Sequence, residues 1–272
     1  MRRNLISSTP HPKMGSTKLK EFVMLVITSE QRVGSRWIGY LLGDMLTGQK
    51  PTPEINLFKD TQSPILVYQE IMNKGKILKL HGNTPTELIH ELGSDIKLLG
   101  IVRDPRDRLL SLSFHKRYHP YHDGFNEKKR ETELEALQYT VVDDPTDNRI
   151  NYRMLEYMIP GFSTKSPTNL KTNYVWTTYE WLKEDTYEEI TRILDALDIG
   201  YIADRVVEYI EKYSFKNMTG RKPGEEDRKN TFARKGVTGD WKNWFTPEMI
   251  RVTEEVYQEY YRRVQTELDK ET

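Results

Sequence analysis

Phe22-Val23-Met24-Leu25-Val26-Ile27 is a continuous apolar run, and it breaks after Thr28 into the polar turn Ser29-Glu30-Gln31-Arg32-Val33-Gly34-Ser35-Arg36-Trp37. Apolar residues without alternation suit a strand buried on both faces, as in the middle of a parallel sheet. Beyond the turn, Trp37, Tyr40, Leu41, Met45 and Leu46 recur at helical spacing. Strand, loop and helix in this order point helix-start N–H groups at an anion. The turn supplies cations, a glycine and a hydroxyl for such a site. It lacks the GxxxxGK[ST] spacing of a nucleoside-triphosphatase loop. On these residues alone, an ordinary strand-to-helix turn is an equal reading.

The same alternation continues along the chain. Lys76-Ile77-Leu78-Lys79-Leu80 predicts a second strand, and Ile96 to Val102 a third that runs into Arg103-Asp104-Pro105. Asp104 reads as an N-cap and Pro105 as a first-turn residue, so a helix begins there. Residues 174–180 predict another strand. Asp185 and Glu188 open a helix through Leu197, a further helix fits 203–213, and Thr246-Pro247 caps a last helix reaching toward Leu268. Strands alternating with helices predict a single α/β domain with a central parallel sheet flanked by helices. Residues 1–20, rich in Ser, Thr, Pro, Lys and Arg, read as a flexible tail ahead of a domain over 21–272.

Composition narrows the functional classes. In 272 residues, 41 basic and 41 acidic side chains cancel, so no global field draws the chain to nucleic acid and any anion site is local. The absence of cysteine excludes disulfides, thiolate catalysis and cysteine-ligated zinc. No apolar run is long enough to span a bilayer, and no apolar segment follows Arg2 and Arg3 as in a signal peptide. The expectation is a cytoplasmic protein with no membrane partner.

A second anion loop is stronger than the first. In Arg234-Lys235-Gly236-Val237-Thr238-Gly239-Asp240-Trp241-Lys242-Asn243, two cations precede a glycine, which lets backbone N–H groups approach a phosphate or sulfate. Residue by residue this segment resembles the RKGxxGDWKN signature of the cytosolic sulfotransferases, which use 3′-phosphoadenosine 5′-phosphosulfate (PAPS) and release 3′-phosphoadenosine 5′-phosphate (PAP). The resemblance extends over most of residues 22–250. Gln-Arg-Val-Gly-Ser-Arg-Trp at 31–37 is similar to the family's PKSGTTW, Lys79-Leu80-His81 to its KTH, and Tyr213-Ser214-Phe215-Lys216 to its SFK stretch.

The resemblance implies a P-loop-like nucleotide-binding core and a set of roles. Arg32 takes the place of the lysine at the bridging oxygen and 5′-phosphate, with the planar fork of a guanidinium instead of a compact ammonium. Gly34, Ser35 and Arg36 match phosphate-cradling positions, and Trp37 matches the tryptophan that stacks on adenine. Arg103 and Ser111, eight residues apart, match a 3′-phosphate clamp whose second half is Arg234, Lys235 and Gly236. Tyr179 and Phe215 match adenine contacts, and Ser214 lies beside the nucleotide. His81 becomes the general base, with a pKa near working pH, while Lys79 and Arg32 stabilise charge on the transferring group and departing oxygen. Asp240, Trp241 and Lys242 hold the loop in shape. Arg106 and Arg108 inherit no role and read as surface residues.

The implied reaction is in-line transfer of a sulfuryl group to a hydroxyl or amine of a small molecule, a specialised metabolite in type, with no metal required. A phosphoryl transferase on a related core, or a nucleotide-binding relative without catalysis, are the rival readings. His115, His119, His122 and Asp123 invite a metal site, but Pro120 interrupts their helix, and a place beside the acceptor pocket suits them better. Long polar connections at 117–135 and 216–233 read as acceptor walls or a lid. The family's dimer segment, KxxxTVxxxE, keeps Lys242 and Thr246 but has Pro247 and Arg251 in place of Val and Glu. The oligomeric state is left open.

Overall fold

A computed structural model of the chain describes residues 24–48, 54–56, 77–81, 96–118, 132–143, 174–230, 232–258 and 260–262. Its centre is β1 (Met24–Ser29), where Leu25, Val26 and Ile27 are completely buried. A strand covered on both faces has to sit between neighbours, and β1 does. It pairs in parallel with β3 (Ile77–His81) on one side and with β4 (Ile96–Val102) on the other. The edges are a short β2 (Glu54–Asn56) beside β3 and β5 (Tyr174–Thr178) beside β4. The five strands therefore run in the order β2-β3-β1-β4-β5, all parallel. This is the expected α/β architecture.

Helices cover both faces. On one, α1 (Ser35–Thr47), α5 (Thr186–Ala196) and α6 (Ala203–Lys212) contribute Ile38, Leu41, Ile190, Ile193 and Val206 to a core shared with Leu25, Ile27 and Leu99. On the other, α2 (Pro105–Tyr118), α3 (Glu133–Gln138) and α8 (Pro247–Val256) pack Leu109, Leu110, Phe114, Leu137 and Met249 against Val102 and Trp176. Each such side chain contributes roughly 1.5–3 kcal/mol by burial.

Local chemistry sets the helix starts. Asp104 accepts the Arg106 backbone N–H at 2.9 Å ahead of Pro105, and Asp185 accepts that of Glu188 at 3.0 Å. Thr246 accepts from the Met249 N–H, with Pro247 in the first turn. That cap accounts for two residues of the altered dimer segment, and Arg251 pairs with Glu255 within the same helix.

Two expectations need adjustment. The strand expected over 174–180 ends at Thr178, whose hydroxyl accepts the Trp181 N–H and starts α4 (Tyr179–Glu184). Segment 216–233 is not an open connection. It begins inside α7 (Phe215–Thr219), and the Arg221 guanidinium then donates to the carbonyls of Glu225, Ala233 and Arg234. The last helix runs regularly from Pro247 to Val256, residues 258 and 260–262 are helical again beyond Tyr257, and its expected reach toward Leu268 lies outside the described residues. The tail over 1–20, His119, His122, Asp123 and most of 117–135 lie outside the described residues. Among the described residues no helix is long and apolar enough to cross a membrane, and no cluster of three or more metal-ligating side chains occurs.

Candidate active site

The strand register aligns the carboxyl ends of the three central strands: Ser29 of β1 lies level with His81 on one side and Ile101 on the other. Open parallel sheets bind ligands at this edge, where the connections diverge to opposite faces. A cavity of about 550 Å³ opens there. Its lining includes Arg32, Gly34, Ser35, Arg36, Trp37, Lys79, Arg103, Ser111, Tyr179, Phe215, Arg234, Lys235 and Gly236, residues drawn from the whole length of the chain. Ser214 is not part of the lining. It caps α7, accepting the Asn217 N–H. For His81 the backbone position at the end of β3 is described, and the side chain lies outside the described part.

The loop between β1 and α1 is bent by two left-handed residues, Arg32 with φ 70° and Gly34 with φ 86°. Gly34 is required for contact as well as conformation, since a Cβ there would come within 2.6 Å of the Tyr179 ring. The start of α1 has no side-chain cap and no acidic residue in its first turn, so its backbone N–H groups are presented to the cavity side. Trp37 is fixed by an indole N–H bond to the Tyr213 carbonyl at 2.9 Å and meets Tyr179 edge-on at 6.2 Å.

Arg103 joins the two anion loops. Leaving β4, its guanidinium donates to the Arg32 carbonyl at 3.1 Å and the Val237 carbonyl at 3.3 Å, and stacks 4.2 Å above the Tyr179 ring. Its Nε is buried with no hydrogen-bond partner among the described residues. Arg32 in turn donates from Nε to the Ser111 hydroxyl at 3.1 Å, which brings one loop's cation onto the other clamp's serine.

The glycine-rich loop is held by three carboxylates. Asp240, 3 % exposed, pairs with Arg234 and with Lys235 at 2.6 Å, and Arg234 also pairs with Glu226. Burial pushes the Asp240 carboxyl up, but hydrogen bonds from Lys235, Arg234 and Asn243 outweigh it and leave it below the usual carboxylate range. The structural role expected of Asp240 is therefore observed. Asp107, which carried no assignment in the sequence, accepts the Gly239 N–H at 2.5 Å and the Trp241 N–H at 3.1 Å. Gly236, with φ 68°, lies against the Phe215 ring so closely that any Cβ would overlap it.

Of two arginines read as surface residues, one is buried and the other is partly covered. Arg108 is buried and ion-paired with buried Glu30 at 2.7 Å, an arrangement that keeps a charged group tolerable in the interior. Arg106 is held by Asp104 and lies 3.9 Å over the Trp241 ring. Lys183 also lines the cavity unforeseen, although its place four residues after Tyr179 puts both on one face of α4. Burial, and then Arg103, lower its pKa.

Electrostatically the cavity suits a polyanion. Arg32, Arg36, Lys79, Arg103, Lys183, Arg234 and Lys235 all line it, and no aspartate or glutamate does among the described residues. Burial, followed by the charges of Arg103, Arg36 and Arg234, lowers the Arg32 guanidinium to about 9. A cluster that disfavours its own charge to this degree is relieved by a bound anion. The α1 start, Arg32, Lys79, Arg103, Ser111 and the loop over 234–236 all border this one cavity.

Comparison with known proteins agrees with this architecture. The model of the "Sulfotransferase domain" family matches residues 5–265. "Cytosolic sulfotransferase 7" of Arabidopsis thaliana is 25% identical over 263 residues, covering 92% of this chain and 76% of the relative. "Sulfotransferase 2A2" of Mus musculus is 26% identical over 259 residues, covering 92% and 81%. Among solved structures, mouse sulfotransferase SULT7A1 complexed with PAP shares the fold at TM-score 0.63 and 19% identity, with 90% of this chain and 86% of that one covered. Retinol dehydratase in complex with androsterone and inactive cofactor PAP does so at TM-score 0.59 and 15% identity, with 86% and 80% covered.

Proposed function

The chain belongs to the sulfotransferase domain family, and on that premise we propose that it moves a sulfuryl group from PAPS to a hydroxyl or amine of a small-molecule acceptor. The observation that carries this reading is the convergence of both anion loops, joined by Arg103, on one cation-lined cavity at the carboxyl edge of the sheet. PAPS supplies the sulfuryl group and a phosphate that leaves as part of PAP. Arg103, Ser111, Arg234, Lys235 and Gly236 bind the 3′-phosphate. Ser35, Arg36 and the α1 start bind the 5′-phosphate through their backbone N–H groups, and Trp37, Tyr179 and Phe215 enclose the adenine. Ser214 supports this wall as the cap of α7.

His81 holds the proton that leaves the acceptor oxygen or nitrogen, so that this atom forms the new bond to sulfur. Lys79 and Arg32 offset the charge that collects on the sulfonate oxygens and on the phosphate oxygen that keeps the bond pair. Positioning and electrostatics carry the rate, as in phosphoryl transfer.

The test is twofold. PAP at a hundredfold excess over its Kd should raise the melting temperature by roughly 5–10 °C, and adenosine, lacking both phosphates, should raise it far less. Labelled PAPS should then transfer sulfate to members of a panel of phenols, alcohols and amines. Binding of PAP without transfer to any acceptor would leave only a binding module.

The glycine geometry gives a sharper check. Gly236→Ala should weaken PAP binding about tenfold, since left-handed strain of about 1–3 kcal/mol adds to displacement of Phe215. Gly220→Ala meets the same strain at φ 74° but nothing within 4 Å, and should leave PAP affinity as it is. Calorimetry decides; equal losses in both variants would remove the Gly236–Phe215 contact from the argument.

A further inference from the structure

The corner where β4 gives way to α2 is tied to the far end of the chain. Tyr260 and Tyr261 lie beyond the end of α8, in backbone that is helical again. The Tyr260 hydroxyl, on a buried side chain, donates to the Arg103 carbonyl at 3.0 Å. The Tyr261 hydroxyl donates to the Asp104 carboxylate at 3.4 Å, and Glu180 on α4 accepts the Asp104 backbone N–H at 3.2 Å. The first carbonyl taken up by α2 is that of Asp104, which accepts the Arg108 N–H at 2.9 Å. The Arg103 carbonyl therefore stands ahead of the helical ladder, and the Tyr260 phenol supplies a donor to it. Burial, followed by the charges of Glu180 and Asp104, pushes that phenol well above its ordinary range, so it keeps its proton at any working pH.

We propose that Tyr260 is a positioning residue for the nucleotide: it fixes the Arg103 backbone and, through it, the guanidinium that bridges the two anion loops and receives the 3′-phosphate. The inference rests on the sulfuryl-transfer reading and adds a residue to it from beyond the motifs. Tyr260 does not line the cavity, so its effect on a ligand passes through Arg103. The bridging bonds have little slack. At 3.1 Å to the Arg32 carbonyl and 3.3 Å to that of Val237, they lie toward the long end of the N–H···O range. A shift of about 0.5 Å in the Arg103 backbone takes them out of that range. Tyr260→Phe keeps the ring in its core and removes only the hydroxyl, which leaves the Arg103 carbonyl short of a donor and the corner free to move. Tyr261 differs in its target, because its bond goes to the Asp104 side chain and not to the residue that carries the guanidinium.

The experiment measures the affinities of the full chain for PAP and for adenosine 5′-phosphate by calorimetry and reads their ratio. The ratio reports the 3′-phosphate and cancels losses that the two nucleotides share. Tyr260→Phe should lower it about fivefold. Tyr261→Phe, which removes the neighbouring phenol, should leave it within about twofold of the unmodified chain. In an Arg103→Ala background, Tyr260→Phe should not move the ratio at all, because no guanidinium remains to be positioned. Melting temperatures separate a merely structural role, which would lower stability and leave the ratio alone. A ratio unmoved by Tyr260→Phe, an equal fall in Tyr261→Phe, or the same fall with and without Arg103 overturns the proposal. If PAP does not bind the unmodified chain, the sulfuryl-transfer reading fails and the proposal fails with it. PAP binding with an unmoved ratio overturns the proposal alone.

Discussion

Replacing His81 with alanine should lower turnover by about 10²–10⁴-fold, the usual contribution of a positioned general base, while PAP affinity stays close to that of the unmodified chain. The separation follows from position. β3 ends on His81, level with Ser29 at the ligand-binding edge of the sheet, and Lys79, two residues earlier, already faces the cavity from a buried site. The proposed grip on the nucleotide comes from other elements: the β1–α1 turn, α2 and the glycine-rich loop. Loss of the imidazole therefore removes the proton's destination and none of the donor's ligands. Single-turnover rates with labelled PAPS, set beside calorimetry with PAP, measure the two effects independently. Unchanged turnover would strip His81 of the role, and a parallel loss of PAP affinity and melting temperature would make it a structural residue.

The central architecture could be read from the chain because β1 and β4 are mostly apolar and the helix starts carry their own capping side chains. Phe22 to Ile27, Ile96 to Val102, Asp104-Pro105 and Thr246-Pro247 each state their structure locally. β2 could not be read this way. Glu54-Ile55-Asn56 is three residues long and pairs only along the sheet edge, so it has neither an apolar run nor a period to announce it. At Tyr179 two local signals compete: an aromatic residue extends the strand pattern, but the Thr178 cap ends it.

The site divides along the same line. Cations, glycines and aromatics with a direct role stand in compact motifs, which is why the resemblance reaches them. The groups that support them do not. Asp107 acts on Gly239 and Trp241 across more than a hundred residues, Glu30 neutralises Arg108, and Arg221 closes its own loop through backbone carbonyls. None of these has a spacing that betrays its partner. The stacking of Arg36 on the Phe232 ring is of the same kind, because a motif fixes where its backbone lies and not the ring it stacks on.

Arg103→Ala should reduce PAP affinity by at least about 100-fold, the largest effect on binding of any single change considered. Two contributions combine. The guanidinium bonds to the Arg32 and Val237 carbonyls hold the two anion loops in one geometry before any ligand arrives, and charged hydrogen bonds of this kind are each worth about 1.5–3 kcal/mol. The same group lines the cavity, where its charge faces a bound phosphate. Arg103→Lys retains the charge but has no planar fork to span both carbonyls, and should recover only a minor part of the affinity. Adenosine 5′-phosphate supplies the internal comparison, since it lacks the 3′-phosphate. Its weaker binding should fall less than that of PAP when Arg103 is removed, because it loses the shared loop geometry but no direct ligand. Calorimetry on both nucleotides with both variants separates the terms. Equal losses for the two nucleotides would mean that Arg103 only braces the loops, and the 3′-phosphate clamp would then have to rest on Ser111, Arg234 and Lys235 alone.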